Sequence, residues 1–506
     1  MKREKLTSQR SAQPVSWKEG RLMRLLPIVL LWAVSLFLLN VDRLSPLPEE
    51  IGEIGLVFPL LGQGLFLLVG LLAAGIFLHI FDPKLLKDRD RIHLLTVIAL
   101  ISVATSSMLL HLPEILPNFR AETTLFALPF VLAPMLAATL TGGAAAIAVG
   151  GWCGLAMSLA AGQDFTIVAA ALSASVVTAL LSLKVRKRTQ ALKVGMVAGF
   201  FAILCLLAFH SLGWDNPDIT LRLTASRSAA CLTSGILSSV AALLLLPLFE
   251  MFFPVTTDIT LLEFSDLGHP LLQRLALEAP GTYHHSLVVA HLSQAAADEI
   301  GANALLARTA SYFHDIGKLV KPNFFSENIM HKSPHDNIPP SMSTLVITSH
   351  VKEGISLALL HKLPESIQRI LREHHGTSLV SYFHHKAKEQ MELGLQDQEP
   401  IPNKNASTQV SEIDFRYPGP RPATRESGIV CLADAVEAAS RSMEKTSPTH
   451  IEGLVNELVH NRIEDGQLDQ CDLTVAEVAK IRHSFVFSLT NMLHGRIPYP
   501  KGPRKN

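Results

Sequence analysis

The stretch Tyr312-Phe313-His314-Asp315-Ile316-Gly317-Lys318 decides how this chain reads. It closes an apolar helical run with an imidazole beside a carboxylate, and a lysine follows. Lys318 lies three residues after Asp315, so a helical segment puts both on one side. A His-Asp pair alone is common in any protein. Here it has company in His284-His285, His335-Asp336, His374-His375 and His384-His385, and 17 of the 21 histidines lie after Pro254. Neutral imidazole and carboxylate are ligands that suit Mn, Fe and Zn. Two ions bridged by a carboxylate can clamp both the attacking and the leaving oxygen of a phosphoryl displacement.

Outward from this stretch, apolar residues recur at helical spacing through Ser286–Ile300, Leu345–Leu360, Ile367–His374, Ile429–Ala439 and Ile451–Val459. Strand-like alternation is scarce, which predicts an all-helical domain over 254–506. Pro334, Pro339 and Pro340 bracket a loop, so His335-Asp336 stays out of the candidate metal set. His291 and His384-His385 read as solvated or structural. The polar segment Gln390–Gln409, with Pro400 and Pro402, reads as a mobile insertion, and Tyr499–Asn506 as a short basic tail.

Before Pro254 the chain changes character. Hydrophobic residues make up 48% of the 506, mean hydropathy is +0.30, and almost all long apolar runs fall in this half. A helix needs roughly 20 apolar residues to cross the hydrocarbon core. Eight stretches qualify: Leu22–Asn40, Gly55–Phe81, Ile92–Leu112, Thr123–Thr141, Gly143–Ala161, Phe165–Leu183, Val194–Leu212 and Ser228–Phe249. The first follows Lys2, Arg3, Lys5, Arg10, Lys18, Arg21 and Arg24. It is long for a signal peptide and no small-x-small cleavage site follows, so it reads as a signal anchor. The uncharged stretch Thr123–Gly162 is split at Thr141-Gly142-Gly143. With eight spans, the basic loops Lys84/Lys87/Arg89/Arg91 and Lys184/Arg186/Lys187/Arg188/Lys193 share a side with the N-terminus and the C-terminal domain. The expected order is a cytoplasmic N-terminus 1–21, a signal-anchor span 22–40, a short extracellular loop 41–54, a seven-span membrane domain 55–253 and a cytoplasmic domain 254–506. That makes a multi-pass protein of the cell (inner) membrane.

Several function classes lose ground on composition. No Asp, Glu, Lys or Arg sits mid-span, which disfavours ion pumping and coupled transport. His79, His93, His111 and His210 lie near span ends. Gly142, Ala146, Gly150, Gly154, Ser158 and Gly162 recur every fourth residue, a stripe read as close packing between helices of one chain. The 44 basic and 44 acidic residues cancel, so nothing points to a nucleic acid polymer as partner. Cys153, Cys205, Cys231, Cys431 and Cys471 form no C-x-x-C pair, which argues against a disulfide framework or zinc knuckle.

The wider order of residues resembles a known family. His285, His314-Asp315, His350, His374-His375 and Asp434 follow the order of the HD-domain phosphohydrolases. The strings Gly281-Thr282-Tyr283-His284-His285-Ser286, Ser311–Lys318, Pro322-Asn323-Phe324-Phe325, Glu373-His374-His375-Gly376-Thr377, Arg416-Tyr417-Pro418-Gly419-Pro420 and Ala433–Ala438 narrow the likeness. Together they look like the PgpH-type seven-transmembrane HD proteins, which hydrolyse cyclic di-AMP. The likeness runs from Gly55 onward. Family members carry a large extracellular domain after the first span, and here only Val41–Ile54 stands in that place.

The resemblance implies an all-α fold, a polytopic membrane region followed by a cytoplasmic HD domain, and cyclic dinucleotide phosphodiesterase activity. It implies His285, His314, Asp315, His350, His374, His375 and Asp434 as ligands of two divalent metal ions, Mn or Fe, with Asp315 bridging both. A hydroxide between the ions would attack phosphorus in line with the 3′ oxygen, and linear pApA would be the first product. Asp315 would be catalytic, and so would Lys318, whose spacing from Asp315 suits it to stabilise charge on the phosphate; the alternative for Lys318 is a surface lysine beside a glycine turn. His284 is expected to pack or to sit behind the ligands, as is Glu437, one turn after Asp434. Arg416–Pro420 reads as a rigid turn, structural or in contact with substrate. The partners are the cyclic dinucleotide and the lipid bilayer, and a homodimer stays open. Cyclic di-GMP and guanosine tetraphosphate are alternative substrates. The cyclic di-GMP branch carries Gly-Tyr-Pro shortly after its His pair, where this chain reads Gly376-Thr377-Ser378-Leu379. A receptor that binds nucleotide without turnover is a further alternative, although all seven ligand positions are filled.

Overall fold

The computed structural model describes residues 17–40, 53–115, 121–182, 185–212, 220–329, 332–396, 410–443 and 447–494. Lys2, Arg3, Lys5 and Arg10, residues 41–52 of the expected loop, Lys184, residues 397–409 of the expected insertion and the tail Tyr499–Asn506 lie outside them. The chain divides into two compact units, Met1–Thr257 and Asp258–Asn506. Both are helical, with no β-strand among the described residues. One isolated antiparallel bridge pairs Leu379 with Arg416.

The first unit contains α1 (Trp17–Leu38), α2 (Glu53–Phe81), α3 (Arg89–Leu110), the short α4 (Leu112–Ile115) and α5 (Ala121–Thr124), α6 (Leu132–Leu140), α7 (Gly143–Ala160), α8 (Phe165–Ser182), α9 (Arg188–Ser211) and α10 (Leu221–Phe252). Six helical stretches are long and apolar enough to cross a membrane: Phe58–Phe81, Arg89–Ile115, Gly143–Ala160, Phe165–Ser182, Arg188–Ser211 and Leu221–Phe252. The apolar helices Leu25–Leu38 and Leu125–Leu140 are shorter.

The expected span Thr123–Thr141 needs correction, because it is not one helix. Pro129 pushes Leu128 out of helical geometry, to a ψ of 146°. The helix beyond the break, α6, has nine residues. At 1.5 Å per residue it rises about 14 Å, under half of a hydrocarbon core about 30 Å thick. The break is buried in protein: Leu128 is fully covered, and Ser234 Oγ donates to its carbonyl. An irregular backbone survives at membrane depth only when its polar groups are satisfied in this way.

Small residues set the helix spacing. A Cβ on Gly150 would lie 2.2 Å from Ser175 Oγ, and one on Gly154 would lie 2.5 Å from Ala171 Cβ, so α7 and α8 touch backbone to side chain. The middle of the small-residue stripe thus serves packing within the chain. Its ends, Gly142 and Gly162, adopt φ of 125° and 81° beside the helix termini. A second seam joins α9 and α10, where a Cβ on Gly195 would meet Gly235 O at 2.4 Å. Large apolar side chains point the other way: Phe58, Leu61, Leu65, Leu72, Ile76 and Ile80 of α2 are exposed.

The second unit contains α11 (Asp258–Phe264), α12 (Pro270–Glu278), α13 (Pro280–Ile300), α14 (Ala304–Phe313), α15 (Pro340–Leu360), α16 (Glu365–Glu373), α17 (Ser381–Gln396), α18 (Arg425–Ser440), α19 (Pro448–Glu464) and α20 (Val475–His494). Helix α13 is the axis and packs against α12, α14, α18 and α20. Its Val289, Leu292 and Ala296 share one core with Phe313, Val430, Ala433 and Phe485. Local signals end these helices. Gly301, in the left-handed conformation, closes α13. Asn303 caps α14 by accepting from Leu306 N at 2.9 Å, and Thr424 with Ser427 forms a capping box on α18. Short 3-10 turns, Ile316–Val320, Pro322–Phe324, Ser326–Asn328 and Pro334–Asn337, occupy the chain between α14 and α15. The expected insertion from Gln390 is corrected at its start. Gln390, Met391, Glu392 and Leu393 are strong helix formers, and α17 continues to Gln396.

Candidate metal centre

Each of the seven expected ligands is delivered by a helix or its end. His285 projects from the second turn of α13, and His314-Asp315 stand just past the end of α14. His350 lies midway along α15, His374-His375 just past α16, and Asp434 in the middle of α18. Two glycines allow the approach. A Cβ on Gly317 would lie 1.8 Å from His350 O, so only glycine there lets α15 bring His350 to Asp315. A Cβ on Gly281 would lie 1.9 Å from Glu327 O.

The structure gathers all seven residues into two groups that share Asp315. One is His285, His314, Asp315 and Asp434; the other is Asp315, His350, His374 and His375. Asp315 Oδ2 lies 3.4 Å from His285 Nε2 and 3.3 Å from His314 Nε2. Asp315 Oδ1 lies 3.4 Å from His350 Nε2 and 3.8 Å from His374 Nε2. Asp434 reaches both groups, with Oδ1 3.0 Å from His285 Nε2 and Oδ2 3.3 Å from His375 Nδ1.

The outer ring nitrogens show what the inner ones offer. His314, His350 and His374 place Nδ1 at 2.8, 2.6 and 2.7 Å from the carbonyls of Ser311, Ile347 and Leu371. A carbonyl only accepts, so each Nδ1 carries a proton, and on the neutral rings of His350 and His374 the Nε2 lone pair turns inward. Metal-binding imidazoles show this same outer support. His285 Nδ1 instead meets the Glu437 carboxylate, which Arg441 Nε also contacts at 2.6 Å. His350 Nε2 and His374 Nε2 then face each other at 3.4 Å with neither proton free to join them. Asp315 Oδ1 accepts no hydrogen bond, while Lys318 Nζ pairs with Oδ2 at 2.7 Å. Buried polar atoms without partners are costly. Facing lone pairs and an unpartnered carboxylate oxygen fit a cation, and histidine with aspartate is a set that divalent transition metals accept.

Charge is distributed unevenly across the centre. Burial and the neighbouring His314 push His374 down to about 3. Burial also lowers His350, and together with His374 it lowers His375 further, so these rings are neutral. Burial works against the charged form of His285, yet Asp315, Asp434 and Glu437 hold it well above the usual histidine range. In the same way Asp315 and Asp434 outweigh burial at His314 and raise it to about 9. The Asp315 carboxyl stays well below its ordinary range: burial opposes this, and the charges of His314 and Lys318 prevail.

Residues 57–257 match a family model described as a 7TM receptor with intracellular HD hydrolase, and residues 282–439 match the HD domain. The chain belongs to the seven-transmembrane HD family. Six long apolar helices and the shorter apolar segment Leu125–Leu140 lie within the first matched region. The chain is 38% identical over 323 residues to a protein of Bacillus subtilis named cyclic-di-AMP phosphodiesterase PgpH, covering 63% of this chain and 42% of that one. It is 35% identical over 308 residues to the like-named protein of Listeria monocytogenes, covering 61% and 40%. The chain thus spans less than half the length of these relatives. A crystal structure of the L. monocytogenes PgpH HD domain in complex with cyclic-di-AMP is 40% identical; it covers 46% of this chain and 100% of that one, with a TM-score of 0.41.

In this HD unit several residues take roles that were open or unseen. His284, His291 and His385 are exposed. His335 is buried away from the centre, with Nε2 2.8 Å from Phe324 O, and His384 is buried with its ring on Phe415. Lys318 does not lie on a continuous α-helix with Asp315. It sits in a 3-10 turn, 2.7 Å from both Asp315 Oδ2 and Glu327 Oε1. Glu327 was not foreseen, since a lone acid in Ser326-Glu327-Asn328 carries no local signal. Tyr417 stacks on His375 with ring centroids 4.2 Å apart. Arg416 donates to Thr377 O at 2.8 Å and pairs with Asp465 and Glu412, so the Arg416–Pro420 turn braces the His375 loop.

Proposed function

We propose that this chain hydrolyses cyclic di-AMP to linear pApA at a two-metal centre on the cytoplasmic side of the cell membrane. The observation that carries this reading is the meeting of two donor groups at one buried carboxylate, Asp315, each of whose oxygens faces a pair of imidazoles. His285, His314 and Asp434 would hold one ion, His350, His374 and His375 the other, and Asp315 both. Manganese or iron suits this set. When bound, such ions would make water nucleophilic near neutral pH and would neutralise charge on the phosphodiester.

The chain's own groups do the remaining work. The carbonyls of Ser311, Ile347 and Leu371 and the carboxylate of Glu437 fix the four rings before any ligand arrives. Such preorganisation is what makes an electrostatic site effective. Lys318 adds a fixed positive charge for the phosphate. The adenine specificity rests on the relatives named cyclic-di-AMP phosphodiesterases and on Gly376-Thr377-Ser378-Leu379, where cyclic di-GMP enzymes carry Gly-Tyr-Pro. The cytoplasmic placement rests on the basic loops between the apolar helices.

The test uses the whole chain in detergent with Mn. Cyclic di-AMP, cyclic di-GMP and guanosine tetraphosphate are incubated separately and the products separated by chromatography. pApA should accumulate from the first, and a chelator should stop it until Mn or Fe is returned. If cyclic di-AMP survives while another nucleotide is consumed, the substrate assignment is wrong. Tight binding of cyclic di-AMP without product would make the chain a receptor.

A further inference from the structure

We propose that Glu327 is a positioning residue that balances the charge of Lys318, so that a divalent ion and a charged lysine can share Asp315. The inference rests on the two-metal reading. Lys318 Nζ lies 2.7 Å from both Asp315 Oδ2 and Glu327 Oε1, and both side chains are largely buried. That same Oδ2 faces His285 and His314 at 3.4 and 3.3 Å. An ion held by those two rings would take the oxygen that Lys318 now touches. Two cations at one oxygen, out of water, repel strongly. The second carboxylate on Lys318 offsets that repulsion.

Glu327 is fixed by groups other than the lysine. Thr282 Oγ1 donates to Glu327 Oε1 at 2.9 Å, and Asn328 Nδ2 donates to Thr282 Oγ1 at 2.9 Å. Thr282 N donates to Asn328 Oδ1 at 3.2 Å, and Gly281 lies against the Glu327 carbonyl. These contacts tie the turn Ser326–Asn328 to the first turn of α13, one turn before His285. The Phe325 ring sits 5.0 Å from Lys318 Nζ and closes another side. When an ion takes Oδ2, Glu327 is the anchor left to the ammonium. Lys318 then stays in place beside the phosphate.

The experiment measures Mn affinity by calorimetry on the whole chain in detergent, a readout that needs no turnover. Glu327→Gln should weaken binding about tenfold or more, because the lysine charge is then opposed by Asp315 alone. Lys318→Met should not weaken it. The double variant should return to within about threefold of Lys318→Met, because the repulsive charge has gone. Glu327→Asp, which keeps the charge, should stay near wild type. A double variant as weak as Glu327→Gln would mean that Glu327 only braces the turn, and would overturn the proposal. So would a Glu327→Gln variant with wild-type affinity. Protein that shows the expected pattern but leaves cyclic di-AMP intact supports this role of Glu327 and refutes the substrate assignment instead.

Discussion

The two units differ in what makes their tightest helix contacts and in what their cores enclose. In Met1–Thr257 the tightest seams are glycine, alanine and serine, and the large apolar side chains of α2 face outward. In Asp258–Asn506 the large apolar side chains are inside, and at the middle of them stand seven ionisable groups. Without water to drive apolar groups together, close contact is what holds helices to each other, so the first unit suits a bilayer. The second unit uses its core as a low-dielectric wall, within which a few charges interact strongly. The first should therefore be sensitive to added volume, and the second to lost charge.

The sharpest way to break that contrast is Asp315→Asn, which keeps the volume and removes the charge. Asp315 is 1% exposed and common to both donor groups. Hydrolysis should fall at least about a thousandfold, equivalent to about 4 kcal/mol of barrier, and Mn should no longer bind as a pair. Activity assays on the whole chain in detergent, with metal content measured in parallel, decide it. Retained activity would sink the two-metal centre.

The centre was more legible in sequence than the membrane unit, and the reason is chemical. Imidazole and carboxylate announce themselves by type, and in a helical domain their order along the chain survives folding. Residues that act by pairing across the chain leave no such trace. Glu327 meets Thr282 at a separation of 45 residues, whereas Glu437 was legible from its place one turn after Asp434. In the membrane unit, apolar length marks helices but not their breaks. The local signal for the break at Leu128 is Pro129, one proline within an otherwise uncharged apolar run. The α9–α10 seam of Gly195, Gly199 and Gly235 escaped because its glycines lie on two different helices.

Gly317 blurs the contrast, since here the charged unit depends on smallness. Its missing Cβ makes room for His350 O, which belongs to the backbone and cannot turn aside as a side chain can. Gly317→Ala should cost about 3 kcal/mol or more and lower activity with it. Gly453→Ala is the control: it lies in α19 with open space at its Cβ, and should gain up to about 1 kcal/mol from helix propensity. Thermal unfolding of the whole chain compares the two. Equal effects would show that the Gly317 contact is not a constraint.

Glu437→Gln probes charge at one remove from the centre. The carboxylate holds His285 Nδ1 and is itself held by Arg441 at 2.6 Å. Losing such outer support should weaken metal affinity about 10- to 100-fold while the fold persists. Calorimetric titration with Mn reads this directly, and an unchanged affinity would detach Glu437 from the centre.

The smallest effect belongs to Asp465→Asn, at the edge of the same unit. Arg416 meets Asp465 through two nitrogens, at 2.8 and 3.0 Å, and Gln467 donates to it at 2.8 Å. Burial works against the Asp465 charge, yet the hydrogen bonds from Arg416 and Gln467 hold its carboxyl below the ordinary range. A carboxyl lowered by folding adds stability above its unfolded pKa, about 3.9, and loses it as pH falls through the folded value. Since the pair is partly open to solvent, the loss at pH 7 should be at most about 1 kcal/mol. Melting curves of wild type and Asp465→Asn should therefore differ at neutral pH and converge in acid. A gap that persists unchanged to low pH would mean the asparagine disturbs packing rather than charge, because Arg416 and Gln467 both also hold Thr377 beside His375.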